Sequence, residues 1–145
     1  MDENTLVADI RRFNRHYTQV LGLLNKHILD SGYSLTEARV LFEIDGRGAC
    51  TANDLIIALQ IDASYMSRMI AKFQKKNMIA KEISKEDNRA KYIKLTAYGK
   101  QIVTELNHKS DGQIQALLVP LQEEERYQLR KAMLWIERYL SIEPL

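Results

Sequence analysis

The sequence predicts a mainly α-helical protein with a helix-turn-helix and a two-stranded β-hairpin at its centre. Only two prolines and six glycines occur among 145 residues, so few positions interrupt helices. Apolar residues recur at steps of three and four along most of the chain, the spacing of one face of an α-helix. Between Ile79 and Leu95 the apolar period changes to two, which is typical of β-strands.

The first predicted helix covers residues 4–30 and carries one apolar stripe along its whole length. The stripe consists of Leu6, Ile10, Phe13, Tyr17, Val20, Leu21, Leu24 and Ile28. The sequence Asp30-Ser31-Gly32 ends the helix. A stripe of this length exceeds what a small core needs, so it favours pairing with a second chain.

Three shorter helices are predicted next. Thr36 begins the first of them, and residues 45–48 end it. Thr51 caps the second in a capping-box arrangement with Asp54, three residues later. Asp62 caps the third. Two short amphipathic helices separated by about three residues predict a helix-turn-helix.

The hairpin is predicted directly after the third short helix. We expect the chain to turn at Asn77 in the left-handed conformation, which Asn tolerates better than most residues. Residues 79–83 and 92–95 alternate in polarity, and residues 84–90 are polar and form the loop between them. A helix-turn-helix followed by a β-hairpin is a winged helix.

Two further helices complete the predicted fold. Thr96 caps a long helix that Pro120 ends, and the last helix begins with three glutamates at 123–125. Apolar residues of the last helix form another stripe: Leu129, Ala132, Met133, Ile136 and Leu140. We expect a single domain over residues 1–145, in which the winged-helix lobe covers 34–99 and long helices over 4–30 and 97–141 frame it.

The charge distribution favours a nucleic-acid partner, although the net charge is only +2. Residues 62–99 carry nine basic and four acidic side chains, whereas the segments on both sides are slightly acidic. A basic block on the predicted helix-turn-helix and hairpin is typical of a nucleic-acid contact surface. The alternative is an ordinary solvated surface rich in lysine.

Other classes of protein receive little support. A single cysteine, Cys50, gives no intramolecular disulfide, and no apolar run approaches the ~20 residues of a membrane span. With an acidic N-terminus, these features are typical of a cytoplasmic protein. His16, His27 and His108 have no zinc-ligand spacing, and no phosphate-binding loop or nucleophile motif occurs. We therefore expect neither enzymatic activity nor a metal or cofactor.

Several segments in order resemble the MarR family of bacterial winged-helix regulators. They are Leu35-Thr36-Glu37-Ala38-Arg39-Val40-Leu41, the helix-turn-helix, Asp87-x-Arg89 and Leu95-Thr96-x-x-Gly99. The sequence departs from the family at Asn77, where Gly is usual, and in the acidic Glu86 and Asp87 near the hairpin tip. Residues 10–18 are also similar to the regulator half of proteins that fuse a MarR-like domain to a GNAT-type acetyltransferase.

The resemblance implies a function and its partners. It implies an obligate homodimer held by the dimerisation helices over 4–30 and 97–141. The dimer would bind double-stranded DNA, with a recognition helix in the major groove and a wing at the minor groove. We expect a repressor of nearby genes that binds a pseudopalindromic operator. A small hydrophobic acid or phenolic compound is the implied effector. The alternative is a regulatory domain related to such an acetyltransferase fusion, or a dimerisation module whose winged helix binds protein.

The third short helix supplies the first group of candidate DNA contacts, whose side chains avoid its apolar stripe. They are Ser64, Tyr65, Ser67, Arg68, Lys72, Lys75 and Lys76. Arg68 is suited to bidentate bonding of guanine, and the three lysines are further along, where phosphates lie. The alternatives are a solvent-facing Arg68 and a Tyr65 packed beneath the helix.

The hairpin supplies the second group. Arg89 is suited to a narrow minor groove, and Asp87 would orient it from within the loop. Lys85 and Lys91 are candidate phosphate contacts. The alternative for Asp87 and Arg89 is an ordinary surface ion pair. Cys50 suggests a thiol-based oxidant sensor, since it precedes a helix N-terminus that would stabilise a thiolate; a small buried residue is the alternative.

Overall fold

A computed structural model describes residues 1–83, Glu86 and residues 91–141, and within them it contains six helices and one two-stranded antiparallel sheet. The elements in chain order are α1 (Glu3–Asp30), α2 (Leu35–Arg47), α3 (Ala52–Leu59), α4 (Ala63–Lys75), β1 (Ile79–Ile83), β2 (Lys91–Leu95), α5 (Ala97–Leu118) and α6 (Glu123–Tyr139). The predicted mainly α fold with a winged helix-turn-helix is confirmed. No helix of the described residues is both long and apolar enough to cross a membrane.

The predicted caps of α3 and α4 are confirmed. The Thr51 hydroxyl accepts a hydrogen bond from the Asp54 N–H at 3.1 Å, and the Asp54 carboxylate accepts one from the Thr51 N–H at 2.9 Å. The Asp62 carboxylate accepts the Tyr65 N–H at 3.0 Å. Both caps satisfy backbone donors that the first turn of a helix leaves free.

The predicted start of α2 at Thr36 is wrong, because Ser34 caps the helix. The Ser34 hydroxyl accepts the Glu37 N–H, and the Glu37 carboxylate accepts the Ser34 N–H, both at 3.1 Å. Reciprocal bonding satisfies two backbone donors, which a start at Thr36 would not do. As a result, Glu37 lies almost completely buried at the beginning of the helix.

The end of α4 turns the chain into β1 at Asn77, whose φ of 59° confirms the predicted left-handed residue. The Met78 N–H donates to the Phe73 carbonyl at 2.9 Å, and the Asn77 N–H donates to the Gln74 carbonyl at 3.0 Å. Met78 and Phe73 are both fully buried. These two bonds and this apolar pair make a Schellman motif.

The sheet contains more than the predicted hairpin. Its register places Ile79 opposite Leu95 and Ile83 opposite Lys91. Cys50, just before α3, adds a single bridge on the other side of β2. The Cys50 N–H donates to the Ile93 carbonyl at 3.0 Å, and the Ile93 N–H donates back to the Cys50 carbonyl at 2.6 Å. The centre of β2 is therefore bonded to the residue that precedes the Thr51 cap of α3 as well as to β1.

The hydrophobic core lies in the lobe formed by α2, α3, α4 and the hairpin. Its largest fully buried side chains are Val40, Leu41, Ile44, Cys50, Leu55, Met66, Phe73, Met78, Ile79, Ile93 and Leu106. Helix α1 packs along α5, and Ile28, Val103 and Leu106 join both helices to the lobe. By contrast, α6 has no buried residue at all.

Candidate nucleic-acid interface

Helix α4 presents one buried face and one exposed face. Its apolar residues Met66, Met69, Ile70 and Phe73 lie in the core and fix the orientation of the helix. All seven candidate DNA contacts of this helix lie on the exposed side: Ser64, Tyr65, Ser67, Arg68, Lys72, Lys75 and Lys76. The structure therefore brings the first predicted group together on a single surface.

Tyr65 and Arg68 interact with each other one helical turn apart. The Arg68 guanidinium carbon lies 5.7 Å from the centroid of the Tyr65 ring. Because Tyr65 is 37% exposed, it does not pack beneath the helix. A cation–π contact at an exposed site contributes about 0.5–1 kcal/mol, enough to favour one orientation of the arginine. The pair therefore extends outward from the first two turns of α4.

Lys72 differs from the other exposed cations of α4, because its charge is matched by a carboxylate. Its amino nitrogen lies 2.7 Å from Oε2 of Glu37 on α2. Burial opposes ionisation of Glu37, but hydrogen bonds from Lys72 and Ser34 outweigh it and lower the pKa of this carboxyl. The same hydrogen bond raises the pKa of Lys72. Both groups are thus ionised and paired.

Lys75 and Lys76 lie at the C-terminal end of α4, where positive charges interact favourably with the helix dipole. The Lys76 amino nitrogen lies 5.5 Å from the centroid of the Tyr33 ring. Within the described part of the chain, neither lysine forms an ion pair with a carboxylate. Their charges are therefore available to an external anion.

A cleft of about 160 Å³ separates α4 from the hairpin. Polar side chains from both elements line it, namely Ser67 from α4, Lys81 from β1 and Lys91 from β2. Sequence reasoning selected Ser67 and Lys91 but missed Lys81. Its position follows from the antiparallel register, which only the structure gives: Lys81 pairs with Ile93 and so faces the same side of the sheet as Lys91.

The other predicted wing residues cannot be placed. Lys85, Asp87 and Arg89 lie outside the described residues, so their roles stay predictions from the sequence. Glu86 lies within the described part and is exposed.

Cys50 is fully buried, and both of its backbone groups are bonded to Ile93. Burial, together with the nearby Asp54 carboxylate, raises the pKa of the thiol. The expected stabilisation of a thiolate by the start of α3 is therefore outweighed by desolvation. This geometry is that of a small core residue, the alternative interpretation of Cys50.

We expect Cys50 to be alkylated by iodoacetamide at least roughly 100-fold more slowly in the native protein than in the unfolded chain, because reaction requires local opening of the lobe. The rate is measured by mass spectrometry with and without denaturant. Comparable rates under the two conditions would show an accessible thiol and support a sensor role.

The family model described as the MarR family matches residues 33–91. This segment is therefore similar to the MarR family. Among curated proteins, no sequence matches the chain. The segment that matches the family model begins just before the Ser34 cap and includes the whole exposed face of α4. The sequence resemblance to this family is confirmed.

Solved structures extend the MarR fold over nearly the whole chain. YusO protein from Bacillus subtilis has a TM-score of 0.72 at 18% identity, covering 95% of this chain and 99% of its own. A mutant MarR from E. coli, complexed with operator DNA, has a TM-score of 0.71 at 20% identity, covering 94% and 99%. BpsR from Bordetella bronchiseptica, whose DNA binding is regulated by 6-hydroxynicotinic acid, has a TM-score of 0.70 at 22% identity, covering 92% of both chains.

Proposed function

We propose that the protein is a homodimeric DNA-binding transcriptional regulator, a repressor that acts in the cytoplasm on a pseudopalindromic operator. The observation that carries this proposal is the exposed face of α4. It combines an arginine over a tyrosine ring with two lysines that have no carboxylate partner among the described residues, on a helix whose other face is buried in the core. The solved complex of an E. coli MarR with operator DNA, which shares this fold, supports the same use of the surface here.

In this proposal, the residues of α4 have two roles. Ser64, Tyr65, Ser67 and Arg68 belong to the first two turns, which reach base edges when a recognition helix enters the major groove. Lys75 and Lys76, together with Lys91 across the cleft, contact phosphates. For the loop, we keep the sequence-based roles, with Arg89 in the minor groove, Asp87 orienting it and Lys85 on a phosphate.

Dimerisation is supported by the amount of surface that the single chain exposes. The accessible surface is 10980 Å², whereas a compact monomer of 16.8 kDa exposes about 7,700 Å². Helix α6 contributes exposed apolar side chains, including Leu129, Met133, Ile136 and Leu140. A second copy that covers the faces of α1, α5 and α6 would remove this surface from water.

We propose that a small hydrophobic acid or phenol releases the protein from DNA. BpsR, which shares the fold, is regulated by 6-hydroxynicotinic acid, a hydroxylated aromatic acid. A compound of this class would change the spacing of the two recognition helices in the dimer and so weaken operator binding.

The decisive experiment is selection of bound sequences from a random duplex pool, followed by measurement of affinity at several salt concentrations. We expect a palindromic consensus and an affinity that falls steeply with salt. If the purified protein binds no duplex better than random DNA at any salt concentration, the proposed function is wrong.

Arg68→Ala is expected to reduce discrimination at one base position of each half-site by about 1–3 kcal/mol, because alanine cannot form the bidentate hydrogen bonds to guanine. Arg68→Lys is the matched control. It keeps the charge but lacks the planar fork, so it should retain non-specific affinity while losing the same discrimination. Unchanged base preference in both variants would exclude Arg68 as a reading residue.

A further inference from the structure

We propose that Lys72 is a positioning residue, which fastens the recognition helix α4 to the start of α2 and makes no contact with DNA phosphate. This inference rests on the proposed DNA-binding function. From its position along the helix alone, Lys72 was predicted to contact a phosphate. We call the three residues involved, Ser34, Glu37 and Lys72, the junction anchor.

Both oxygens of the Glu37 carboxylate are occupied in the junction anchor. Oε1 accepts the Ser34 N–H at 3.1 Å, and Oε2 accepts the Lys72 ammonium at 2.7 Å. Glu37 is only 8% exposed, so water cannot readily replace the lysine. If Lys72 moved to a phosphate, it would leave a buried carboxylate without its counter-charge, which is strongly unfavourable.

Binding a DNA phosphate is less favourable for Lys72 than for the neighbouring Lys75 and Lys76. Lys75 and Lys76 have no carboxylate partner within the described residues, so binding a phosphate breaks no ion pair. For an exposed lysine, the favourable free energy of binding DNA comes mainly from the release of counterions held by the phosphates. Because Lys72 is already neutralised by Glu37, the pair brings no net charge to the DNA surface.

The junction anchor lies where the DNA-binding lobe meets α1. Ser34 follows directly after Gly32 and Tyr33, which connect α1 to α2. The Tyr33 hydroxyl contacts the Met78 sulfur at 3.7 Å, and Lys76 lies over the ring of Tyr33. Lys72 thus binds the last turn of α4 to the α1–α2 junction, which Lys76 at the end of the same helix also contacts. The orientation of the recognition helix therefore follows the position of the α1–α2 junction.

The test compares Lys72→Met with Lys75→Met on the selected operator and on a random duplex across a range of KCl concentrations. Methionine keeps most of the apolar stem and removes the charge. We expect Lys75→Met to make the log–log salt slope shallower by about 0.9 for each phosphate that the lysine neutralised. Lys72→Met should keep the wild-type slope but lower the ratio of operator to random binding by roughly tenfold, since a misoriented helix reaches the base edges poorly.

Two further variants separate positioning from loss of structure. Lys72→Arg retains a donor for Glu37 and should restore the operator-to-random ratio. Glu37→Gln keeps the capping box, because glutamine also serves there, but it releases Lys72. It should lower the ratio as Lys72→Met does, and the double variant should be no worse than either single one.

Specific results overturn the inference. A Lys72→Met slope as shallow as that of Lys75→Met would show that Lys72 contacts phosphate, and an unchanged ratio in Glu37→Gln would show that the anchor does not position α4. Failure of the wild-type protein to show salt-dependent binding is a different result, which overturns the proposed function and this inference with it.

Discussion

Gly99→Ala is expected to destabilise the protein by about 3 kcal/mol or more, because an added methyl group has no room. A Cβ at this position would lie 2.0 Å from the Met78 carbonyl oxygen and 3.0 Å from the Met78 carbonyl carbon. Neither the Gly99 backbone nor the Met78 backbone can easily move away, because both are held by hydrogen bonds. The Met78 carbonyl accepts the Thr96 N–H at 3.0 Å, and the Thr96 hydroxyl bonds both the Gly99 N–H and the Asn77 carbonyl.

Gly112→Ala is the matched control for this prediction, since Gly112 lies in the same helix α5. A Cβ there meets nothing within 4 Å in the chain. Alanine in a helix interior is favoured over glycine by roughly 0.5–1 kcal/mol, so this variant should be as stable as the wild type or more stable. Chemical denaturation measures the free energy of unfolding of both variants. A Gly99→Ala variant as stable as the wild type would contradict the close approach of α5 to the end of α4.

The double variant Met133→Glu, Ile136→Glu is expected to dissociate the proposed dimer. Both side chains belong to the exposed apolar stripe of α6. Two carboxylates would have to lose their hydration when this stripe is covered. A monomer binds only one half-site, so we expect operator affinity to fall by about 100-fold or more. Analytical ultracentrifugation and operator titration provide the two measurements.

Arg130→Glu introduces a carboxylate on the same helix, away from that stripe. This control should remain dimeric, because it lies outside the apolar face. A wild-type protein that sediments as a monomer at micromolar concentration would refute the proposed dimer. A double variant that stays dimeric would place the interface elsewhere.

The caps and turns of the lobe were predictable because each depends on residues close together in the sequence. Thr51 with Asp54, Asp62, Thr96 and Asn77 act as predicted. Placing the start of α2 at Thr36 was wrong although the same type of signal, a Ser followed three residues later by Glu, was present at Ser34 and Glu37. Both the correct caps and the Ser34 cap are therefore encoded by residues three positions apart.

Contacts between distant segments were not predictable in the same way. The bridge of Cys50 to Ile93 involves a single residue on one side, so it leaves no alternating pattern. The exposure of the α4 cations followed from its apolar stripe. The apolar stripe does not show which of these cations is neutralised, since Glu37 and Lys72 are 35 positions apart. Periodicity gives the direction of a side chain but not the identity of its neighbours.

The bridge at Cys50 also covers part of a strand edge of the sheet. Unpaired strand edges are templates for pairing with other chains. Strand β2 is hydrogen-bonded to β1 on one side, and at its centre, Ile93, to Cys50 on the other. In the described part of the sheet, no strand pairs with the outer edge of β1. It carries the charged side chains of Lys81 and Glu82, and charges of this kind are a common protection of exposed edges.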